Sequence, residues 1–231
     1  MGCGQETGAT EENMADEQPK KPEQRSLGEM LKSSLKEVTD PFVALVHAPR
    51  ALWGVNLSYL LDGLVYFGIL TELGKYLSED VGLSDLHAGW VMSCLTAGFT
   101  LAMLFLGGLG DRVGVRKALL AAYSTLFIGR IVLAASSGFE GGGMMSPMFL
   151  LVSVGLLGMV LGGGMQQPAS NAGCKQFTNE KTATMGYAML YGLMNLGAFL
   201  SGIIAPPVRQ AAGIGMVLWV YVGLTDRKSV V

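Results

Sequence analysis

The sequence is poor in charge and in the residues that reactive or metal-binding sites need. Only 15% of its 231 residues are Asp, Glu, Lys or Arg, and it has three cysteines and two histidines. Cys3, Cys94 and Cys174 have neither metal-ligand spacing nor a paired arrangement, so neither zinc nor a disulfide framework is expected. No nucleophile stands beside a base and no Gly-Lys-Ser phosphate loop occurs. An ATP-driven pump or an intramembrane hydrolase therefore lacks its minimum parts, and no cofactor is expected. The net charge of −2 argues against a nucleic-acid partner. The first forty residues lack a short apolar run behind a basic start, so the first span must do the targeting. Met1-Gly2-Cys3 opens like a lipidated terminus, but Glu6 occupies the position where the acylation motif requires Ser or Thr.

What the chain has is apolar length and glycine. Half of it is hydrophobic, the mean hydropathy is +0.42, and 33 residues are Gly. That combination is too apolar for an ordinary soluble domain and too gapped for one dense core, and it predicts an all-α polytopic membrane protein. Gly158-x-x-x-Gly162 and Gly197-x-x-x-Ser201 have the spacing at which helices in lipid pack backbone to backbone.

Residues 1–25 mix Glu, Gln, Lys, Pro, Gly and Thr and predict a disordered cytoplasmic tail. Over 26–50, Ser26 and Glu29 form a capping box, and Leu27, Met30, Leu31, Leu35 and Val38 share one helical face until Pro41. With Lys32 and Lys36 opposite, this reads as an amphipathic helix on the membrane surface, or one packed on the protein's own loops. The spans then read as Ala51 to about Leu77, Gly89 to about Leu106, Ala118 to about Ser136, Met148 to about Ala169 and Ala183 to about Ala205. A sixth begins at Gly213 and reaches only Leu224, short of the roughly 20 residues a crossing needs. Arg50, Arg112, Arg116, Lys117, Lys175 and Lys181 fall on one side of these spans, against Lys75 and Arg209 on the other. The positive-inside rule then places the amino terminus in the cytoplasm.

Between the second and third spans lies Gly107-Gly-Leu-Gly-Asp-Arg-Val-Gly-Val-Arg-Lys-Ala-Leu119. Gly107, Gly108 and Gly110 permit close backbone approach or positive φ, and Asp111 and Arg112 can pair or cap. The segment resembles the helix 2–3 loop of the major facilitator superfamily, G-x-L-x-D-R/K-x-G-R-R/K-x-x-L. Gly107, Leu109, Asp111, Arg112, Gly114, Arg116 and Leu119 match in register, while Val115 stands where an Arg is usual. The resemblance implies that the chain is the first six-helix half of a major facilitator fold, two inverted three-helix repeats with the sixth helix truncated. It also implies that this loop gates the cytoplasmic side against a missing carboxyl-terminal half.

Within the spans, an ionisable group is costly and marks a functional candidate. Asp62 lies midway along the first span, and Asn56, Tyr59, Asp62 and Tyr66 share one face, as if toward a cavity or a neighbouring helix. A carboxylate there is suited to binding and releasing a proton during transport. Arg130, toward the outer third of the third span, could bind an anionic group, pair with an acid or snorkel outward. Glu72 and Lys75 are spaced to pair on one helix. Gln166, Gln167 and Pro168 follow Gly162-Gly-Gly164 and are expected either to break the fourth span at a midplane site or to end it. Tyr187, Tyr191 and Asn195 share a face of the fifth span, with Pro206-Pro207 at its outer end. The run from Tyr187 to Gly197 resembles the F-Y-x-x-x-N-x-G of the proton-coupled oligopeptide transporter branch. Asp62-Gly-Leu-Val-Tyr66-Phe-Gly68 is similar to its E-R-F-S-Y-Y-G, with Asp62 for Glu, Gly63 for Arg, and Gln167 where a Lys precedes the helix 4 proline.

Asp226 to Val231 can be back-translated as GAT CGG AAG AGC GTC GTG, the start of a common sequencing adapter. The expectation is that residues 226–231 are not native and that the natural frame runs on past Thr225. The predicted function is secondary transport of a small solute by alternating access, coupled to H+ as symport or antiport. The alternative is a non-transporting six-helix membrane assembly or sensor module.

Overall fold

The computed structural model describes residues 50–178 and 182–226. The expected tail, the expected amphipathic helix and all but Asp226 of the expected non-native segment 226–231 lie outside the described residues, apart from Arg50 at the start of the first helix. Helix α1 spans Arg50–Lys75 and continues through a π turn, Tyr76–Asp80. Helix α2 is Asp85–Leu106, α3 the single turn Leu109–Val113, and α4 Val115–Ala135 with a closing 3₁₀ turn, Ser136–Gly138. A second 3₁₀ turn, Gly143–Met145, leads into α5, Pro147–Phe177, and α6 covers Ala183–Asp226. Among the described residues there is no strand. Five helical segments among the described residues are long and apolar enough to cross a bilayer.

Local chemistry sets the ends. Ser84 opens α2 by accepting from the His87 amide, and Ser146 opens α5 by accepting from the Phe149 amide at 3.1 Å, with Pro147 in the first turn where its missing N–H costs nothing. Gly114 joins α3 to α4 with φ 88°, a conformation that penalises any side chain. The positive φ of the loop is thus at Gly114; Gly107 and Gly108 are right-handed helical instead, because the second helix runs straight into the turn.

Gly213, at φ 81° and ψ 174°, divides α6 into limbs 183–212 and 214–226. Arg209, late in the first limb, bonds Glu72 near the carboxyl-terminal end of α1. Thr225, late in the second limb, bonds the same Arg130 that holds Asp62, ten residues or about 15 Å back along α1. The second limb therefore doubles back toward the middle of the bundle. It is the sixth span of the sequence, about 20 Å long.

Packing is tightest where glycines meet. Helix α4 lies against α5, and α1 against α6. A Cβ on Gly129 would sit 2.9 Å from the Gly155 carbonyl oxygen, and one on Gly155 would sit 2.7 Å from the Leu133 nitrogen, so these backbones are in contact. Gly158 and Gly162 extend that seam against Gly129 and Leu126. Gly197 packs on α1 at Leu60 and Leu64, with Ser201 buried on the turn beyond it. By contrast α2 shows much of its surface: Leu86, Trp90, Leu104 and Phe105 are all exposed. Helices α1 and α5 are the inner ones, with 44% of their apolar windows buried against 11% for α2.

Two expected helix ends move. The fourth span neither breaks nor ends at Gln166-Gln167-Pro168; α5 runs on to Phe177. The proline ring would press on the carbonyl of residue 164, but that residue is Gly in a three-glycine run, and transmembrane helices absorb such a site with a local adjustment. Likewise Pro206 and Pro207 lie inside α6, whose first limb ends at the Gly213 kink rather than at the prolines.

Candidate functional site

The face of α1 that carries Asp62 repeats at helical spacing as Asp62, Val65, Ile69, Glu72 and Tyr76, and all five are buried. Two carboxylates on one buried face each require a partner, since an unpaired ion there costs several kcal/mol, on the order of the whole stability margin. Arg130 supplies the first. Its side chain is 1% exposed, its Nη2 donates to Asp62 Oδ1 at 2.7 Å, and its Nη1 donates to Thr225 Oγ1 at 2.9 Å. Thr225 in turn donates to the Tyr221 carbonyl at 2.8 Å, so α1, α4 and the second limb of α6 meet at one guanidinium. Of the readings open to Arg130 from sequence, pairing with an acid is the one observed. It does not snorkel.

Arg209 supplies the second partner. Its Nη1 lies 2.8 and 3.0 Å from the two Glu72 oxygens. The expected Glu72–Lys75 pair does not form: Glu72 faces the bundle, where Arg209 takes it, whereas Lys75, only about 60° away round the helix, is exposed. Among the described residues these two are the ion pairs.

Toward the amino-terminal end of α1 from Asp62, Asn56 and Tyr59 are buried. Asn56 is fully buried, its amide donating to the Leu52 carbonyl at 2.9 Å while its Oδ1 has no partner. Tyr59 is 1% exposed, and its hydroxyl makes no well-formed hydrogen bond; the Gln167 side chain faces it, but in a geometry too poor to count as one. Tyr66 is half-buried, its ring edge-on to Phe99 of α2 at 5.3 Å. Gln166 donates to Tyr123 Oη and Ser170 Oγ, both at 3.4 Å, joining α5 to α4. Tyr191 and Asn195 are exposed along α6, with Asn195 Nδ2 donating to the Tyr191 carbonyl. They are not brought to Asp62 by contact. A side chain at Gly63 would meet the Met194 carbonyl oxygen at 2.6 Å, which accounts physically for a glycine where the resemblance has Arg.

In the loop, Gly110 is buried near Ala169 and Gly107 lies near the Pro168 ring, while Leu109 is half-buried. Asp111, Arg112, Gly114 and Arg116 are exposed, and the three charged side chains make no ion pair among the described residues. Cys94 is exposed and Cys174 buried, and among the described residues there is no cluster of His, Cys, Asp or Glu able to hold a metal.

Four participants escaped the sequence reading: Thr225, Tyr221, Tyr123 and Arg209 as the partner of Glu72. The spacing of Tyr221 and Thr225, four apart, carried a weak signal. Tyr123 is the one phenol of the third span.

The Major Facilitator Superfamily family model matches residues 55–225. Dipeptide and tripeptide permease A of Escherichia coli (strain K12) is 25% identical over 162 residues, covering 68% of this chain and 30% of the permease. The niacin transporter NiaP of Acinetobacter baylyi is 37% identical over 84 residues, 36% of this chain and 18% of that protein. Among solved structures, the peptide transporter POT in complex with sulfate superposes with a TM-score of 0.69 at 21% identity, over 79% of this chain and 37% of that one. The POT family transporter PepTSo gives 0.64 at 20% identity. The chain thus spans about a third of the length of the permease and of the solved transporters it matches. With a matched region that runs through both ion pairs and the Gly107–Leu119 loop, the chain belongs to the major facilitator superfamily.

Proposed function

We propose that this chain is the amino-terminal, six-helix part of a secondary transporter that moves a small solute by alternating access and couples the movement to H+ through Asp62. The observation that carries the reading is the Asp62–Arg130 pair, 2.7 Å apart and buried at the junction of three helices. A buried carboxylate held by a single guanidinium has two states of similar cost: ionised and paired, or protonated and released. Switching between them changes what ties α1 to α4 and α6, which links proton binding to helix movement. Asn56, Tyr59, Gln166 and Gln167 line the approach to this pair from the cytoplasmic side, Tyr66 stands one turn to the outer side of it, and Tyr191 and Asn195 present polar groups on the free face of α6. The amino terminus lies in the cytoplasm and the bundle in the cell (inner) membrane. Asp111, Arg112 and Arg116 then latch the cytoplasmic side against a carboxyl-terminal half, which their exposure leaves them able to meet. The similarity to a peptide permease and to a niacin transporter supports transport of a small polar solute without choosing between those two classes.

The test is Asp62→Asn in the full-length gene product. Uptake driven by a proton gradient is expected to be lost while solute exchange at equal pH is partly kept. Equal gradient-driven uptake by both forms removes Asp62 from the mechanism.

A further inference from the structure

The Tyr221 hydroxyl is fully buried and has no hydrogen-bond partner among the described residues. A buried polar group left without a partner costs about 1–3 kcal/mol. The ring packs against Gly68 of α1, where any Cβ would collide with its hydroxyl end. Gly68 stands four residues before Glu72, so the hydroxyl lies one turn below that carboxylate, close enough for Glu72 to act on it electrostatically. On its own helix, Tyr221 lies one turn from Thr225, which holds Arg130 against Asp62. The other outer phenol on this face, Tyr76, is satisfied by Ser136 at 2.7 Å and cannot serve in the same way. Glu72 itself reaches toward solvent through Arg209, whose side chain is 29% exposed.

We propose that Glu72 and the Tyr221 hydroxyl form the outer proton-access route to Asp62. This rests on the reading of Asp62 as the coupling group. An aqueous proton from the outer side binds the Glu72 carboxylate and loosens its bond to Arg209. The Tyr221 hydroxyl accepts that proton, directly or through one water, and gives up its own proton toward Asp62 through water, so Glu72 returns to its carboxylate and Tyr221 to neutral phenol. Asp62 ends protonated and Arg130 keeps Thr225. The charged and titratable groups facing the hydroxyl's route are Glu72, Asp62 and Tyr66 of α1, Arg130 and Tyr123 of α4, and Arg209 of the first limb of α6. Glycine at 68 is what allows the phenol to stand between the two carboxylates.

The test uses the 231-residue chain in a supported lipid bilayer, tethered through an amino-terminal tag so that its outer face meets the buffer. Surface-enhanced infrared spectroscopy follows the protonated-carboxyl band after an acid jump, with Asp62→Asn assigning the band to Asp62. Tyr221→Phe, which keeps the ring against Gly68, and Glu72→Gln are each expected to slow its appearance at least about tenfold while leaving its equilibrium midpoint in place. The amide band verifies that each variant is folded. If the Asp62 band rises at the parent rate in both variants, the route is wrong although Asp62 still titrates. If no band disappears in Asp62→Asn, the coupling role and the route fall together.

Discussion

The two ion pairs on α1 share a helix face and differ in nearly everything else. At Asp62–Arg130 the guanidinium is 1% exposed, bonds one carboxylate oxygen, and leaves its Nε without a partner. At Glu72–Arg209 the guanidinium is 29% exposed and one nitrogen reaches both oxygens. An inner pair in low dielectric gains much from its Coulomb attraction and pays heavily for desolvation, so its net worth is small while the cost of breaking it from one side is large. An outer pair has water as an alternative partner, so both numbers shrink. The inner pair is therefore the one whose protonation can drive a structural change, and the outer pair the one able to trade its partner for solvent.

The sharpest way to break this contrast is to remove each guanidinium in turn. Arg130→Met leaves Asp62 buried with no cation and Thr225 without its donor, and is expected to destabilise the bundle by about 3–5 kcal/mol. Unfolding in mixed micelles, followed by circular dichroism, reads that loss. Adding Asp62→Asn to Arg130→Met should recover a large part of it, because the uncompensated charge disappears. A double variant no more stable than the single one means that the guanidinium acts by packing and not by charge.

Arg209→Gln strips the outer pair in the same way. Water reaches this site, and the expected loss is about 1–2 kcal/mol, reduced further in high salt. The same unfolding assay at two ionic strengths measures both. Losses of equal size at the two pairs would erase the distinction between an inner and an outer site.

The contrast was half legible in the sequence. An acid midway along an apolar span declares itself by its cost, and Asp62 and Arg130 were both found that way. What spacing could not supply was partnership. Glu72 and Lys75 are near neighbours along the helix, yet the apolar rhythm of Val65, Ile69 and Leu73 turns Glu72 inward and leaves Lys75 outside, where the charge has no need of it. Arg209 is 137 residues away from Glu72, and only the packing of the first limb of α6 along α1 brings the two together. Pro168 misled for a related reason: proline ends helices in water, whereas here the tight seam of α5 against α2 through Gly163 and Gly164 keeps the helix going. The loop motif, by contrast, was readable to the residue. Its meaning depends on identities at fixed positions and not on a distant partner, although its positive φ fell at Gly114 rather than at the first three glycines.

The smallest effect expected on the pairs themselves is at Gly213, and it tests how they share α6. At φ 81° and ψ 174°, a backbone region essentially reserved for glycine, an alanine is strained by about 1–3 kcal/mol while nothing else lies within reach to clash with it. The strain has to be absorbed near the kink. Arg209 is four residues before Gly213, whereas Thr225 is twelve after it and anchored by Arg130. Gly213→Ala should therefore speed amide exchange around Arg209 and at the carboxyl-terminal end of α1, and leave exchange around Arg130 and Thr225 at the parent rate. Mass spectrometry of peptides from the two regions separates these outcomes. Equal loosening at both would mean that the second limb of α6 moves as one rigid lever, carrying the inner pair with the outer, and the two sites would then be a single mechanical unit.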